Sequence, residues 1–301
     1  MVHYALSPKG FYFAAKAKFT FITVTHWDVN QFCLKNTKVV QLWHGTPMKK
    51  NNLNDMGEQY DFVIIACKDF LQKQSFYSNL NSKLILSGYP RNDFLINFKN
   101  KKNSSRAFSK VLCLPTHRYR KLNGISKRVK HFDLFDYNFD AKKFLSFLQS
   151  NKIHFTIKLH PMQKFNNNDV FLELKRSNFV TLLEDGPLTD INHYLLDCDL
   201  LVSDYSSVIF DFLLLNKPIV LIGFDLNEHL SFSYFRYNYK QIAPGPISTD
   251  WNDLILNIKK QLIDNSIYTS KIKMICEKFN YYNDSNSSFR IYSFLINKFL
   301  I

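Results

Sequence analysis

Several features that would assign the chain quickly to a large class are missing or scarce. The apolar runs are too short to span a bilayer, and Lys9, Lys16 and Lys18 interrupt the apolar stretch before Phe21. Neither a transmembrane helix nor a secretory leader is therefore expected, and any membrane contact is peripheral. The five cysteines, Cys33, Cys67, Cys113, Cys198 and Cys276, are scattered and form no CxxC pair. That excludes a disulfide framework and a thiolate metal site, and it suits reduced core residues of a cytosolic protein. There is no internal repeat, no GxGxxG, no P-loop and no carboxylate cluster of metal-site type, so no metal is expected. Acidic residues are also few relative to basic ones: 25 Asp and Glu against 39 Lys and Arg give a net charge of +14 and a pI near 9.4. An excess of that size points to an anionic partner. Nucleic acid is disfavoured, because the basic residues are dispersed and no recognition motif of that class is visible.

The chain has 301 residues, 46% of them hydrophobic, which is enough for about two domains with real cores. Short β-branched and apolar runs alternate with amphipathic stretches, the pattern of an α/β protein with parallel sheets covered on both faces. A helix over 11–18 and a strand over 19–25 come first. The strand at 39–43 runs directly into His44-Gly45-Thr46-Pro47, and a histidine just past a strand's carboxyl end sits where α/β folds place their chemistry. Gly45 would let backbone approach a ligand closely. A strand at 61–67, a helix at 69–79 and a strand at 84–87 follow, the last ending in a turn over 88–93 that holds Arg91 and Asp93.

Residues 97–109 are dominated by Lys, Asn and Ser and read as an interdomain linker. The alternation then restarts with a strand at 111–114 leading to Thr116 and Arg118, and 117–131 reads as an exposed basic loop. A helix over 140–150 precedes a strand at 153–159, which places Lys158 near its end and a second histidine, His160, at its terminus. A strand at 179–182, a helix over 190–196, a helix with apolar spacing from Trp251 to Leu262 and a closing helix over 289–301 complete the series.

The stretch 199–224 forms a complete strand–turn–helix–strand unit. Residues 199–202 make a short strand, and 208–215 continue as a buried helix that stops at Asn216-Lys217-Pro218. Between them Ser203, Asp204, Tyr205, Ser206 and Ser207 make a polar turn at a helix start, where unpaired backbone N–H groups and hydroxyls suit a phosphate. The alternative is a capped core helix with no ligand.

Read together and in order, WHGTPMKK at 43–50, GYPRND at 88–93, PTHR at 115–118, KLHP at 158–161, SDYSSVIFDF at 203–212 and PGPI at 244–247, which contains Gly245, resemble the CDP-glycerol glycerophosphotransferase family. This family comprises the teichoic-acid primases and polymerases and related capsule polymerases of bacterial envelopes. The resemblance covers nearly the whole chain, up to NDSNSSFR at 283–290.

The resemblance implies a GT-B architecture of two Rossmann-like domains facing across a cleft, with a shortened acceptor-side domain over 1–105, a CDP-polyol donor domain over 106–285 and a C-terminal helix over 286–301 packing across the joint. It implies transfer of glycerol phosphate or ribitol phosphate from CDP-glycerol or CDP-ribitol to a lipid-linked or polymeric anionic acceptor, with release of CMP and no required cofactor. The expected place is the cytoplasm, at the inner face of the cell membrane. His44 is the expected general base and His160 the group that stabilises or protonates the leaving phosphate. Thr116, Arg118, Lys158, Ser203, Ser206 and Ser207 are expected to hold the pyrophosphate. For Asp204 two roles stand open, orienting His160 or holding a donor hydroxyl. Tyr205 either stacks on the ligand or packs in the fold. Gly45, Thr46, Arg91, Asp93, Asp211 and Gly245 are expected to support the cleft, with Asp211 a capping or bracing residue. The alternatives are a sugar-nucleotide glycosyltransferase on the same scaffold and a non-catalytic relative.

Overall fold

A computed structural model of the chain describes residues 4, 6–23, 37–48, 60–72, 84–100, 106–116, 119–122, 125–128, 134–161, 163, 168–184, 186, 189–232 and 235–299. It divides into two units, one made of 1–97 with 277–301 and the other of 98–276. The last residues thus belong with the first unit, and the division falls at 277, earlier than the 286 expected from the sequence.

Unit 1 holds α1 (Pro8–Lys16), β1 (Phe19–Ile22), β2 (Lys38–Gln41), β3 (Phe62–Ile65), α2 (Asp69–Gln72), β4 (Leu84–Leu86) and α3 (Pro90–Phe98). Its four strands lie in the order β1-β2-β3-β4, all parallel. β3 is buried at every position, as expected of a strand covered on both faces. The first helix starts earlier than expected because Ser7 accepts the Gly10 N–H and Pro8 occupies the first turn, where its missing N–H costs nothing. The same logic corrects the reading of 88–93 as a turn: Pro90 opens α3, which runs on into the stretch read as linker. Helix 69–79 is seen as α2, and 73–80 lie outside the described residues.

Unit 2 begins with β5 (Ser109–Leu114) and a two-stranded antiparallel ribbon, β6 (Tyr119–Leu122) and β7 (Ile125–Arg128), in the stretch read as a loop. It continues through α4 (Ala141–Ser150), β8 (Ile153–Ile157), α5 (Asp169–Arg176), β9 (Val180–Leu182), α6 (Ile191–Asp197), β10 (Leu200–Ser203), α7 (Val208–Phe212), β11 (Ile219–Ile222), α8 (Leu226–Phe232), α9 (Tyr239–Ile242), β12 (Ile247–Ser248) and α10 (Trp251–Ile263). The chain returns to unit 1 within α11 (Ser266–Phe279) and ends in α12 (Ser287–Phe299). Asp140, Asn168, Asp190 and Asp250 cap the N-termini of α4, α5, α6 and α10 through their side chains. The expected buried helix 208–215 is a five-residue α-helix continued by a 3₁₀ turn over Leu213–Leu215, ended by Asn216 in the left-handed region (φ 54°).

The main sheet of unit 2 has the parallel order β12-β11-β10-β5-β8-β9. Counted from β5, that is the doubly wound order 3-2-1-4-5-6 of a Rossmann fold, whose direction of winding reverses between β5 and β10. The core fills around Trp251, which is enclosed by Phe139, Phe144 and Phe155 and donates its indole N–H to the Leu134 carbonyl at 2.6 Å. Among the described residues Cys67, Cys113, Cys198 and Cys276 are buried and in no disulfide, and Cys33 lies outside the described residues. Burial pushes the Cys198 thiol up to about 12 and, with the nearby Asp204 charge, raises that of Cys113 further, so both stay protonated and inert.

Gly245 is fixed by close approach: a Cβ there would lie 1.8 Å from the Ile219 carbonyl oxygen. Gly245→Ala should therefore lower stability on the order of 3 kcal/mol by forcing β11 and the 244–247 turn apart. A urea-unfolding midpoint equal to that of the wild type would contradict this assignment.

Candidate active site

In unit 1 the residues after β2 turn sharply. Buried Gln41 accepts the Trp43 N–H at 2.9 Å through its side-chain oxygen, and Trp43 (φ 60°) and Gly45 (φ 134°) both take positive φ. At Gly45 a larger residue would be strained, which accounts for glycine there. Between them His44 is exposed, while Gly45, Thr46, Pro47 and Met48 are buried.

Three contacts hold His44, two through its ring and one through its backbone. Its Nδ1 lies 3.4 Å from the Thr23 carbonyl oxygen, its ring stacks on Trp43 at 4.7 Å, and its own carbonyl accepts from Arg91 at 2.5 Å. With a proton on Nδ1 directed at Thr23, Nε2 is left as the acceptor nitrogen. That is the tautomer a general base needs. Arg91 thereby acts on the backbone of the His44 turn, with its guanidinium also over the Tyr89 ring at 5.7 Å. Lys49 and Lys50 lie outside the described residues.

Asp93 is buried and joins two helices of unit 1. Its Oδ1 accepts the Ser287 N–H at 2.9 Å, and its Oδ2 accepts the Ser288 N–H and hydroxyl, both at 2.8 Å. It is the N-terminal cap of α12, supplied from 194 residues away, and it brings the closing helix onto unit 1.

In unit 2 the expected residues gather at the carboxyl edge of the sheet, around the point where the strand order reverses. The register pairs Ser203 of β10 with Leu114 of β5 and Cys113 of β5 with Ile157 of β8, so Ser203, Leu114 and Lys158 lie at one level across three adjacent strands. Thr116 follows β5, Lys158 and His160 follow β8, and residues 204–207 follow β10. Lys158 and His160 are half-buried, and the His160 carbonyl accepts the Gln163 N–H at 2.7 Å to close the turn.

Within this edge the polar residues divide into two groups. Ser203 is fully buried and donates to the Leu114 carbonyl at 2.7 Å, which ties β10 to β5. Asp204 is 0% exposed; both of its carboxylate oxygens accept the Thr116 N–H at 3.0 Å, and Oδ1 also accepts the Tyr205 N–H at 2.6 Å. Through these bonds it braces two loops. Tyr205 packs: its ring is buried and stacked on His229 at 4.0 Å and 10°, and its hydroxyl donates to Asp225 at 3.0 Å. Asp211 is buried on α7. Ser206 and Ser207 remain half-buried at the edge, Ser206 accepting the Val208 N–H at 3.3 Å and Ser207 making no side-chain cap bond.

Thr116, Ser206, Ser207, Lys158 and His160 are thus the expected residues that the structure leaves at the surface of this edge, whereas Ser203, Asp204 and Tyr205 are buried behind it; Gly245 lies against Ile219, at the first residue of β11. Arg118 lies outside the described residues. The sequence reading missed Asp225, His229 and Tyr239. Asp225 follows β11 and so had the same strand-terminal signal as His160, but the other two carry no local signature. Among the described residues no group of three or more His, Cys, Asp or Glu side chains is arranged to hold a metal ion.

Two units built on parallel sheets, one with a strand-terminal histidine and the other with a second histidine beside a polar reversal point, make a GT-B-like α/β scaffold. The family described as CDP-Glycerol:Poly(glycerophosphate) glycerophosphotransferase matches residues 2–297, and the chain belongs to it. A teichoic acid glycerol-phosphate primase of Bacillus subtilis (strain 168) is 29% identical over 279 residues, covering 87% of this chain and 69% of the relative. A teichoic acid poly(ribitol-phosphate) polymerase of Bacillus spizizenii is 27% identical over 257 residues, covering 75% of this chain but only 38% of that much longer protein. A structure of the wall teichoic acid polymerase TagF matches with a TM-score of 0.73 at 19% identity, covering 97% of this chain and 75% of that one, a likeness of fold.

The cap assignment of Asp93 is open to test. Asp93→Ala should cost about 2 kcal/mol by leaving the α12 N-terminus without its acceptors, read as a lower urea-unfolding midpoint. Unchanged stability would show that the helix does not depend on this cap.

Proposed function

We propose that the chain is a CDP-polyol phosphotransferase. It moves glycerol phosphate or ribitol phosphate from CDP-glycerol or CDP-ribitol to a hydroxyl of a lipid-linked or polymeric acceptor in the synthesis of a teichoic-acid or capsule-type envelope polymer. Family membership over residues 2–297, with His44 exposed just past a strand end and oriented through Nδ1, is the observation that carries this reading.

In the reaction the acceptor hydroxyl oxygen attacks the phosphorus that bears the polyol, the bond from that phosphorus to the bridging oxygen breaks, and CMP leaves. His44 Nε2 takes the hydroxyl proton, and Thr23 stabilises the resulting imidazolium by accepting from Nδ1. On unit 2, His160 as imidazolium meets the charge that develops on the departing CMP phosphate. Lys158 and the hydroxyls of Thr116, Ser206 and Ser207 are assigned to the pyrophosphate, for which charged and hydroxyl donors at the reversal point of a doubly wound sheet are well suited. Arg118, from the same motif as Thr116, is assigned there as well. No resident cofactor is assigned, the CDP-polyol being a substrate.

The place of action follows from charge and acceptor. None of the described helices is long and apolar enough to cross a membrane, and a net charge of +14 favours peripheral contact with an anionic surface such as the inner face of the cell membrane.

Purified chain given CDP-glycerol or CDP-ribitol and an acceptor analogue should release CMP, and His44→Ala and His160→Ala should each reduce the rate about 10²- to 10⁴-fold. Release of a nucleoside diphosphate from a sugar nucleotide would favour the glycosyltransferase alternative. Donor binding without turnover of any kind would favour a non-catalytic relative.

A further inference from the structure

We propose that Tyr239 is a positioning residue for the donor edge of unit 2, acting through the backbone of Asp204 and touching no substrate. The inference rests on the reading of that edge as the donor site. Asp204 can fix the Thr116 N–H only if its own main chain is fixed, because a carboxylate on a movable turn holds nothing in place. Its carbonyl oxygen accepts the Tyr239 hydroxyl at 2.9 Å, from a residue 35 positions later and only 2% exposed. The carboxylate and the carbonyl of one residue therefore link β5, β10 and α9, and the bond from α9 is made by a phenolic O–H.

The neighbouring residue is held as well. The Tyr205 ring lies face to face with His229, meets the edge of Tyr239 at 5.2 Å and that of Phe235 at 5.7 Å, and its hydroxyl reaches Asp225. Asp225 is itself seated by the start of α8, where its carbonyl accepts the His229 N–H at 2.7 Å. Residues 204 and 205 are thus pinned from α8 and α9. Ser206 and Ser207 follow immediately, so their placement, and that of Thr116 through Asp204, depends on these two anchors. Buried networks of this kind fix geometry because every lost bond leaves a desolvated partner behind.

Tyr239→Phe removes the hydroxyl and keeps the ring. In the full chain it should speed amide hydrogen exchange at Thr116, Ser206 and Ser207 and weaken the binding of CDP, measured by titration calorimetry, about five- to ten-fold. Where transfer is observed, donor KM should rise by the same factor with kcat within about two-fold, the mark of lost positioning in place of lost chemistry. Asn257→Ala, which deletes hydrogen bonds to Ser248 and Asp253 elsewhere in unit 2, should change neither exchange at those three amides nor CDP affinity. Exchange and affinity at wild-type values in Tyr239→Phe would overturn the proposal. A wild-type chain that binds CDP but transfers nothing would overturn the phosphotransferase reading alone. If CDP does not bind at all, the exchange at Thr116, Ser206 and Ser207 still decides the role of Tyr239.

Discussion

The contact on which unit 2 depends is that between the Asp204 carboxylate and the Thr116 backbone N–H. A parallel sheet wound in both directions leaves a gap between the loops that follow its first and fourth strands, because the two crossovers leave on opposite faces. That gap is useful only if its two rims keep a fixed separation. Here a fully buried carboxylate spans it, accepting N–H groups from both rims, and Ser203 repeats the tie one residue earlier through the Leu114 carbonyl. A buried carboxylate is costly unless its oxygens are satisfied, so the arrangement is close to all-or-none. With the rims fixed, residues that follow them at the surface can be placed against a ligand with little freedom to lose.

Unit 1 solves a similar problem with backbone geometry. Trp43 and Gly45 adopt positive φ on either side of His44, so the turn is sharp and the imidazole stays exposed while its flanks are buried. Thr23, Trp43 and Arg91 each hold a different part of the histidine, and Arg91 does so from the helix that Pro90 opens. The family motif at 88–93 thereby serves the histidine of the motif at 43–50, and its aspartate, Asp93, caps the helix that starts within the last family motif. Three motifs far apart in sequence are parts of one support.

Most of the architecture could be read from the chain, because short β-branched runs in alternation with capped amphipathic stretches have few other solutions. What was not legible has specific causes. Pro90 reads as a turn residue, since proline in the first turn of a helix and proline in a turn have the same local signature. At the polar turn 203–207 the sequence shows hydroxyls and a carboxylate beside a helix start but not which of them face inward. Ser203, Asp204 and Tyr205 find partners 89, 88 and 20 residues away, and no local pattern encodes those distances. Tyr239 was invisible for the same reason, while Asp225 was overlooked despite following a strand as His160 does.

The central claim is that the edge between β5 and β10 receives the CDP-polyol and that its inward-facing residues only shape it. A crystal structure of the full chain with CDP-glycerol tests this most directly. The account predicts the pyrophosphate at the carboxyl ends of these two strands, within hydrogen-bonding distance of Ser206 or Ser207, with Asp204 still on the Thr116 N–H. A nucleotide bound instead at the sheet edge of unit 1, or Asp204 turned from Thr116 to the ligand, would contradict it.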